Sequence, residues 1–310
     1  MAVLREVRGR VGMHNDLIYD VGMHNGDDTA FYLHRGFRVV AVEADPALIA
    51  GARARFAAEL AVGRLTLVHA GIAEQSGTAE FFLCEGKSEF NSFDRTNATK
   101  FGHTCRAIQI PCRTFDSILQ EQGVPHYLKI DIETFDSHCL SALVATDLPK
   151  YVSCELTRTS QIEQLADLGF DCFKLVWQGH HREVRDESRT FSSWATTVTP
   201  RLAGLDWLGR KWQSLRDRSG RAGARLLRKC RVLSPENPWN WKFRHGSSGP
   251  FGEDAPGTWI DRDEALYRWL AVKKTRGENY WLDVHATCSA PAVARTNASE
   301  QFTREVRLVA

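Results

Sequence analysis

The feature that most constrains the fold of this chain is an apolar segment that ends in a glycine turn, followed by a helix. Residues 17–21 are predicted to form a short strand, because their side chains are bulky, mostly apolar and favour β-structure. Gly22 and Gly26 supply the backbone freedom of a tight turn, and Asp27 and Asp28 stand where a helix N-terminus favours acids. This arrangement is typical of a nucleotide-type cradle, although the same turn also occurs where nothing binds.

The alternation of strands and helices continues along the chain and predicts an α/β fold. Helices at 29–35 and 47–61 separate the first three strands by short connections, which favours a parallel, doubly wound sheet. Another pair of strands is predicted at 78–83 and 106–111, with a long polar loop between them. The predicted main sheet has seven strands: 17–21, 37–43, 65–70, 127–133, 151–156, 170–176 and 280–286.

Composition excludes several classes of protein. The net charge of +2 gives no bulk attraction to nucleic acid. No window approaches the ~20 apolar residues of a membrane span, and the N-terminus lacks the apolar core of a signal peptide. The eight cysteines are scattered without a C-x-x-C pair, so we expect reduced core residues of a cytoplasmic protein and no metal site.

The domain organisation is predicted from changes in pattern along the chain. From 200 to 245 there are twelve Lys and Arg against three Asp and Glu, with tryptophans interleaved. One interpretation of this basic region is a cap over the site where the acceptor substrate binds. Another is a contact with an acidic or glycosylated substrate or with a membrane surface, and a third is a solvated helical face. Residues 247–252 are predicted to form a flexible loop. The predicted parts are a leader (1–16), a cofactor-binding domain (17–177 and 279–287), an insertion or substrate cap (178–278) and a loosely ordered tail (288–310).

The spacing of the glycine turn separates two classes of ligand. A dinucleotide fold favours G-x-G-x-x-G, whereas this turn reads Asp20-x-Gly22-x-x-x-Gly26. The pattern is similar to the first motif of S-adenosylmethionine-dependent methyltransferases, except that His24 stands in place of the middle glycine. Glu43 ends the second strand, where an acid accepts hydrogen bonds from the hydroxyls of an adenosine ribose.

Charged residues interrupt the strand predicted at 127–133. Lys129, Asp131 and Glu133 alternate with apolar residues, so they are expected to face one side of a central strand. Such charges are costly unless they are paired or line a cleft. One interpretation is a structural pair of Lys129 with Asp131, and the other places Asp131 and Glu133 towards cofactor and acceptor. Glu155 ends the next strand and is expected to line the same crevice.

Taken together, these motifs resemble the FkbM-type S-adenosylmethionine-dependent methyltransferases. The resemblance rests on residues 19–29, on 40–46 and on Leu-Lys-Ile-Asp-Ile-Glu at 128–133, and it covers about 15–177. It implies a Rossmann-like seven-stranded sheet with an antiparallel last strand, S-adenosyl-L-methionine as cofactor, and O-methylation of a hydroxyl on a sugar or natural product. Thr134-Phe135 departs from the glycine and small or apolar residue that are usual there.

The candidate site residues follow from the motifs and the resemblance together. Methyl transfer needs an acceptor oxygen held in line with the methyl group, and a base for the hydroxyl proton. Asp131, Glu133 and His24 are the catalytic candidates, whereas His69 is equally well explained as a core histidine. The partner is predicted to be a small-molecule or glycan acceptor. Alternatives are a nicotinamide-dependent oxidoreductase with a degenerate glycine loop and a non-catalytic cofactor-binding protein. The predicted cofactor-binding residues are Asp20, Gly22, His24, Asn25, Gly26, Thr29, Glu43, Ala44, Gly71, Ile72 and Asp131.

Overall fold

A computed structural model describes residues 13–133, 135–179, 181–184, 238–276 and 280–288. The chain divides into two compact units, one of 1–184 with 243–310 and one of 185–242. The second unit is described only at 238–242, which contain no helix or strand, so the following concerns the first unit. Most of the predicted leader, most of the basic region and the predicted tail after 288 lie outside the described residues.

The described part of the first unit consists of strands and helices that alternate along the chain. The strands are β1 (Met13–Val21), β2 (Arg38–Glu43), β3 (Leu65–His69), β4 (Gly71–Ile72), β5 (Gly77–Cys84), β6 (Cys105–Arg113), β7 (Val124–Ile130), β8 (Tyr151–Glu155), β9 (Cys172–Trp177), β10 (Arg182–Glu183) and β11 (Leu282–Thr287). The helices are α1 (Asp27–His34), α2 (Pro46–Arg55), α3 (Ala57–Ala61), α4 (Arg95–Ala98), α5 (Phe115–Gln122), α6 (Asp136–Ser141), α7 (Thr159–Leu168) and α8 (Arg262–Arg276).

The main sheet has the order β10-β9-β11-β8-β7-β1-β2-β3. The strands from β3 through β2, β1 and β7 to β8 are parallel, and β11 lies antiparallel between β8 and β9. The predicted parallel sheet with an antiparallel last strand is therefore confirmed. The predicted count of seven strands is wrong, because the chain folds back after β9 and pairs Arg182 with Trp177 to make an eighth strand. The predicted strand pair forms a separate sheet of order β4-β6-β5.

Some element boundaries differ from the predictions, and three of these differences are the largest or bear on the site. The helix predicted at 47–61 is broken at Phe56, which is buried and has a non-helical φ of −113°. β7 ends at Ile130, so Asp131 and Glu133 lie in the connection that follows it rather than in the strand. Glu133 has a φ of +50°, a left-handed conformation that cannot continue a strand. β1 begins at Met13 and so includes the last four residues of the segment predicted as a leader.

One face of the main sheet is apolar. Val21, Ile130, Cys154, Val284 and Leu175 are successive register partners across β1, β7, β8, β11 and β9, and all five are buried. Residues of α5, α6, α7 and α8 belong to the same hydrophobic core. This face supplies the apolar burial that stabilises the fold.

The opposite face is polar although it is also buried. Asp20, Lys129, Ser153, His285 and Lys174 are successive register partners across the same five strands, and each is at most 3% exposed. Polar groups in such positions need hydrogen-bond partners, because burying a polar group without one costs several kcal/mol of folding free energy. The elements that cover this face must therefore supply partners for these five buried residues.

The polar face is covered by α1 and by a segment at 243–260, here called the covering segment. Phe251 of this segment stacks on Tyr127 at a ring distance of 4.2 Å. Lys174 Nζ donates to the carbonyl oxygens of Gly252 (3.1 Å) and Ala255 (2.8 Å). Residues 247–252, predicted to be a flexible loop, are buried against the sheet, and a single 3-10 turn begins at Gly252. No helix among the described residues is both long and apolar enough to cross a membrane.

Candidate active site

The glycine turn after β1 has a geometry that requires its glycines. Gly22 has a φ of +80°, and a Cβ on it would lie 1.8 Å from the carbonyl oxygen of Asp131. Gly26 has a φ of +78° at the start of α1, and a Cβ there would lie 2.7 Å from the ring of Phe56. The turn is anchored because the amide of Gly22 donates to Val42 O at 3.0 Å. β1, β2 and β7 are thus held together at the edge where these parallel strands end.

Lys129 is hydrogen-bonded to the backbone of the glycine turn. Its Nζ donates to the carbonyl oxygen of Gly22 at 2.9 Å and lies 3.0 Å from Asp20 Oδ1, 3.6 Å from Asp131 Oδ2 and 3.9 Å from Asp28 Oδ2. Burial alone would lower the pKa of Lys129, but the three carboxylates outweigh it and the pKa lies well above its ordinary value. Lys129 is therefore a buried cation that interacts with three carboxylates. The sequence alone suggests a simple ion pair with Asp131 as one interpretation.

Two predicted cofactor-binding residues, Asp20 and Thr29, stabilise this arrangement by a buried hydrogen bond. Thr29 Oγ1 donates to Asp20 Oδ2 at 2.6 Å, and both residues are fully buried. Their side chains therefore join α1 to the end of β1. Their assignment as direct cofactor contacts stays a prediction.

Asp28 connects the same helix to the covering segment. The hydroxyl of Ser247 donates to Asp28 Oδ1, and the amide of Ser248 donates to Oδ2 at 3.0 Å. Burial raises the pKa of Asp28, while Lys129 and the two serines lower it. Sequence reasoning missed this contact, because it joins residues about 220 positions apart and no local pattern around Ser247 marks it.

Glu43 lies where the motif predicted it, at the end of β2. Its Oε1 accepts the amides of Ala44 and Asp45, both at 2.9 Å, and its Oε2 accepts the amide of His24 at 2.8 Å. Burial raises the pKa of Glu43, and the three amides act in the opposite direction. A carboxylate has about four acceptor positions, so this geometry leaves one for a ligand hydroxyl, on the Oε2 side.

A long connection, here called the bridging loop (85–104), joins β5 to β6 and reaches the cofactor side of the turn. Its Ser88 Oγ lies 2.8 Å from His24 Nε2, and Asn91 Nδ2 donates to Asp45 Oδ2 at 2.9 Å. His24 is held in the left-handed region with a φ of +52°. Asn25 is exposed, and its Oδ1 accepts the amide of Asp27 at 3.0 Å.

The same loop reaches the opposite end of the site at Glu133. Asn97 Nδ2 donates to Glu133 Oε2 at 2.9 Å, and Lys100 Nζ lies 4.0 Å from the same oxygen. Among the described residues, Glu133 Oε1 has no hydrogen-bond partner. Burial raises the pKa of Glu133, the bond from Asn97 lowers it, and neighbouring Asp131 raises it further. Asp131 and Glu133 keep 26% and 21% of their side chains exposed, so both are accessible from the site.

Further acids follow along the same edge of the sheet. Glu155 and Asp283 are register partners on β8 and β11, and Asp136 begins α6. Burial is the main cause of the raised pKa values of all three, and repulsion by Asp131 adds to each. The pKa of Asp136 reaches about 7. Glu155 thus interacts electrostatically with the other acids, and its position in the crevice stays a prediction.

The remaining predicted cofactor residues lie beside the small sheet. Gly71 and Ile72 form β4 and are buried, and a Cβ on Gly71 would lie 2.3 Å from the ring of Phe93. Ala44 is partly exposed and packs against the core of the small sheet. His69 ends β3, and its Nε2 is buried without a hydrogen-bond partner among the described residues. The predicted contacts of Ala44, Gly71 and Ile72 with a cofactor stay predictions.

Comparison with protein families identifies one that covers more than half of the chain. A family model described as "Methyltransferase FkbM domain" matches residues 20–189, more than half of the 310 residues. No curated protein matches the chain.

Among solved structures, the chain is similar to methyltransferase FkbM from Methylobacillus flagellatus KT (17% identity, TM-score 0.35, 53% of this chain and 39% of that one). It is also similar to precorrin-6y C5,15-methyltransferase from Geobacter metallireducens GS-15 (15%, 0.30, 55% and 71%). A third is a SAM-dependent methyltransferase from Geobacter sulfurreducens in complex with S-adenosyl-L-homocysteine (10%, 0.31, 91% and 87%). The chain thus spans about two fifths of the length of the Methylobacillus protein.

Proposed function

Because the chain belongs to the FkbM methyltransferase family, we propose that it methylates a hydroxyl oxygen on a sugar or natural-product acceptor. S-adenosylmethionine is the methyl donor of this family. The observation that carries the proposal is the meeting of three groups at one edge of the sheet. These are the glycine turn, the carboxylate of Glu43 and the two accessible acids, Asp131 and Glu133.

The residues at this edge fit an adenosine-containing cofactor. Gly22 and Gly26 let the turn pack closely against Asp131 and Phe56, where a Cβ would clash, and this packing fixes the turn beside Glu43 at the end of β1. Glu43 retains one acceptor position for a ribose hydroxyl. The acids around Asp131 favour the positive charge of a sulfonium and an ammonium group.

The chemistry required of the chain is positioning and removal of one proton. When bound, S-adenosylmethionine supplies an electrophilic methyl group on a positively charged sulfur, which keeps the electron pair of the broken C–S bond. The chain must hold the acceptor hydroxyl in line with that group and exclude water. As the new C–O bond forms, the hydroxyl proton must pass to a base.

Of the three catalytic candidates, we favour Glu133 as this base. Its Oε1 has no partner among the described residues, its pKa is raised by burial, and its carboxylate is accessible. His24 Nε2 is engaged with Ser88, and Asp131 faces the ammonium group of Lys129. We assign Asp131 to the binding of cofactor and acceptor, and His24 to the cofactor side of the turn.

Tritiated S-adenosylmethionine tests the proposal with hydroxyl-bearing acceptors such as glycosides and polyols. We expect label in a product that survives mild alkali, because an ether is stable where a methyl ester is hydrolysed. Glu133→Gln should lower kcat by about 10²-fold to 10⁴-fold while the Kd for S-adenosylhomocysteine stays within about twofold. Glu80→Gln, an exposed position on β5, is the control. Transfer to nitrogen or carboxylate acceptors alone, or full activity of Glu133→Gln, would contradict this proposal.

The nicotinamide-dependent alternative has no support in the family assignment. The proposed acceptor is a small molecule or a glycan, and the roughly balanced charge of the chain gives no reason to propose a nucleic acid. Titration with NAD provides the direct check on the cofactor.

A further inference from the structure

The bridging loop joins the two ends of the proposed site. At residues 88–91 it contacts His24 and Asp45 beside the glycine turn, and at 97–100 it contacts Glu133. One loop therefore contacts both the cofactor side of the turn and the acid proposed as the base.

Two aromatic residues of the bridging loop meet near these contacts. The ring centroids of Phe90 and Phe101 are 5.7 Å apart, and Phe90 lies 5.9 Å from His103. Phe90 stands two residues after Ser88, which contacts the cofactor side, and Phe101 directly follows Lys100, which faces Glu133. The three rings, here called the aromatic patch (Phe90, Phe101 and His103), thus pack together next to the loop residues that contact the two ends of the site.

Phe101 is unusual in both exposure and backbone conformation. It is 85% exposed, the highest value among the large hydrophobic side chains that the structure describes as exposed. Its φ of +59° is left-handed, a conformation that is unfavourable for a residue with a side chain. Of the four other described non-glycine residues with positive φ, His24 and Glu133 belong to the same site. Such conformations cluster at sites that bind ligands, where the surrounding structure maintains them.

We propose that the aromatic patch is an acceptor subsite that stacks on one sugar ring next to the hydroxyl that is methylated. A pyranose presents C–H groups on one face and hydroxyls at its rim. The C–H face suits the electron-rich face of Phe101. The rim meets the ammonium group of Lys100 and the carboxylate of Glu133, which provide a hydrogen-bond donor and an acceptor.

The size of the patch favours a single ring over a protein partner. Phe101 is the one exposed large hydrophobic residue that the described structure shows in the bridging loop. A stable protein interface buries about 800 Å² on each partner and involves about 20–30 residues. One exposed ring flanked by charged groups is much smaller than that, whereas it matches the face of one pyranose.

The inference rests on the proposed function, since it specifies the acceptor of the same site, and NMR titration tests it. Methyl β-D-glucopyranoside is the probe, with and without saturating S-adenosylhomocysteine, and mannitol is the acyclic comparison. We expect saturation transfer from aromatic protons to the C–H face of the pyranoside, and little transfer to mannitol. Phe101→Ala should weaken the pyranoside Kd about tenfold, whereas Phe101→Trp should keep or strengthen it.

Val62→Ala is the matched control, because Val62 is also an exposed hydrophobic residue (71%) but lies at the end of α3. It should leave the pyranoside Kd unchanged, and equal melting temperatures of all variants exclude unfolding. Equal Kd values for the wild type and Phe101→Ala would overturn the inference. So would equal binding of mannitol, or no saturation transfer to the pyranoside at roughly 50 mM.

Two further measurements separate this inference from its alternatives. Sedimentation with vesicles of phosphatidylcholine and phosphatidylglycerol tests a membrane contact, and a loss of vesicle binding in Phe101→Ala without a change in pyranoside binding would overturn the subsite. Calorimetry with S-adenosylhomocysteine alone tests the proposed function. Absence of that binding would refute the methyltransferase proposal, while the pyranoside titration without cofactor still reports on Phe101.

Discussion

Replacement of Lys129 by Met tests the central electrostatic feature of the site. The change keeps a long unbranched side chain and removes the buried charge that faces Asp20, Asp28 and Asp131. Removing one partner of a buried ion pair costs about 3–5 kcal/mol, because the other charge stays buried. The bond to the carbonyl oxygen of Gly22 is lost as well. We expect a loss of about 4 kcal/mol at pH 7.5, a large part of the stability of an ordinary domain.

Urea unfolding followed by circular dichroism measures this loss. Burial raises the pKa of Asp28 and Lys129 opposes that rise, so without Lys129 the folded-state pKa of Asp28 should lie further above its value in the unfolded chain. Protons then bind more tightly to the folded variant, so its stability relative to the wild type should recover as the pH falls from 7.5 to 5. The double variant Lys129→Met/Asp20→Asn should be at least about 1 kcal/mol more stable than Lys129→Met at pH 7.5.

Lys274→Met is the control, because Lys274 is exposed near the end of α8 and should change stability by less than about 0.5 kcal/mol. A loss below about 1 kcal/mol for Lys129→Met would refute the assignment of Lys129 as the buried cation of this site. The assignment would also be refuted if the difference in unfolding free energy between Lys129→Met and the wild type grew as the pH fell.

Three further predictions concern single positions. Gly22→Ala should cost more than about 3 kcal/mol in urea unfolding and abolish cofactor binding, whereas Gly63→Ala, also at positive φ but with open space around it, should cost about 1 kcal/mol. Asn97→Ala removes a bond to the Glu133 carboxylate, so the acidic limb of the pH–rate profile should move up by about one pH unit. Burial raises the pKa of Asp136 to about 7, above its unfolded value, so the wild type should lose up to about 4 kcal/mol relative to Asp136→Asn as the pH rises from 4 to 7.

The cofactor side of the site could be predicted from the sequence because its determinants are local. A strand, two glycines and an acid at the end of the next strand are read from short stretches, and Gly22 and Glu43 lie where those patterns place them. The parallel arrangement of most strands in the main sheet also follows from the regular alternation of strands and helices. The extra strand β10 has two residues, too few to produce a periodic pattern.

The acceptor side could not be predicted because its contacts are distant in sequence or depend on backbone irregularity. The alternation of charges at 129–133 indicated a strand, but the left-handed conformation of Glu133 ends that pattern. Asn97 meets Glu133 through a loop whose path no periodicity specifies. Ser247 binds Asp28 across 219 positions, and only the folded sheet brings the two together.

Calorimetric titration with S-adenosylhomocysteine, compared with NAD, tests the central claim most directly. The wild type should bind S-adenosylhomocysteine and not NAD. Glu43→Gln should bind it at least about tenfold more weakly, while Glu80→Gln should bind it unchanged, with melting temperatures recorded to show that each variant is folded. Binding of NAD in place of S-adenosylhomocysteine, or an unchanged affinity in folded Glu43→Gln, would contradict the account of this site.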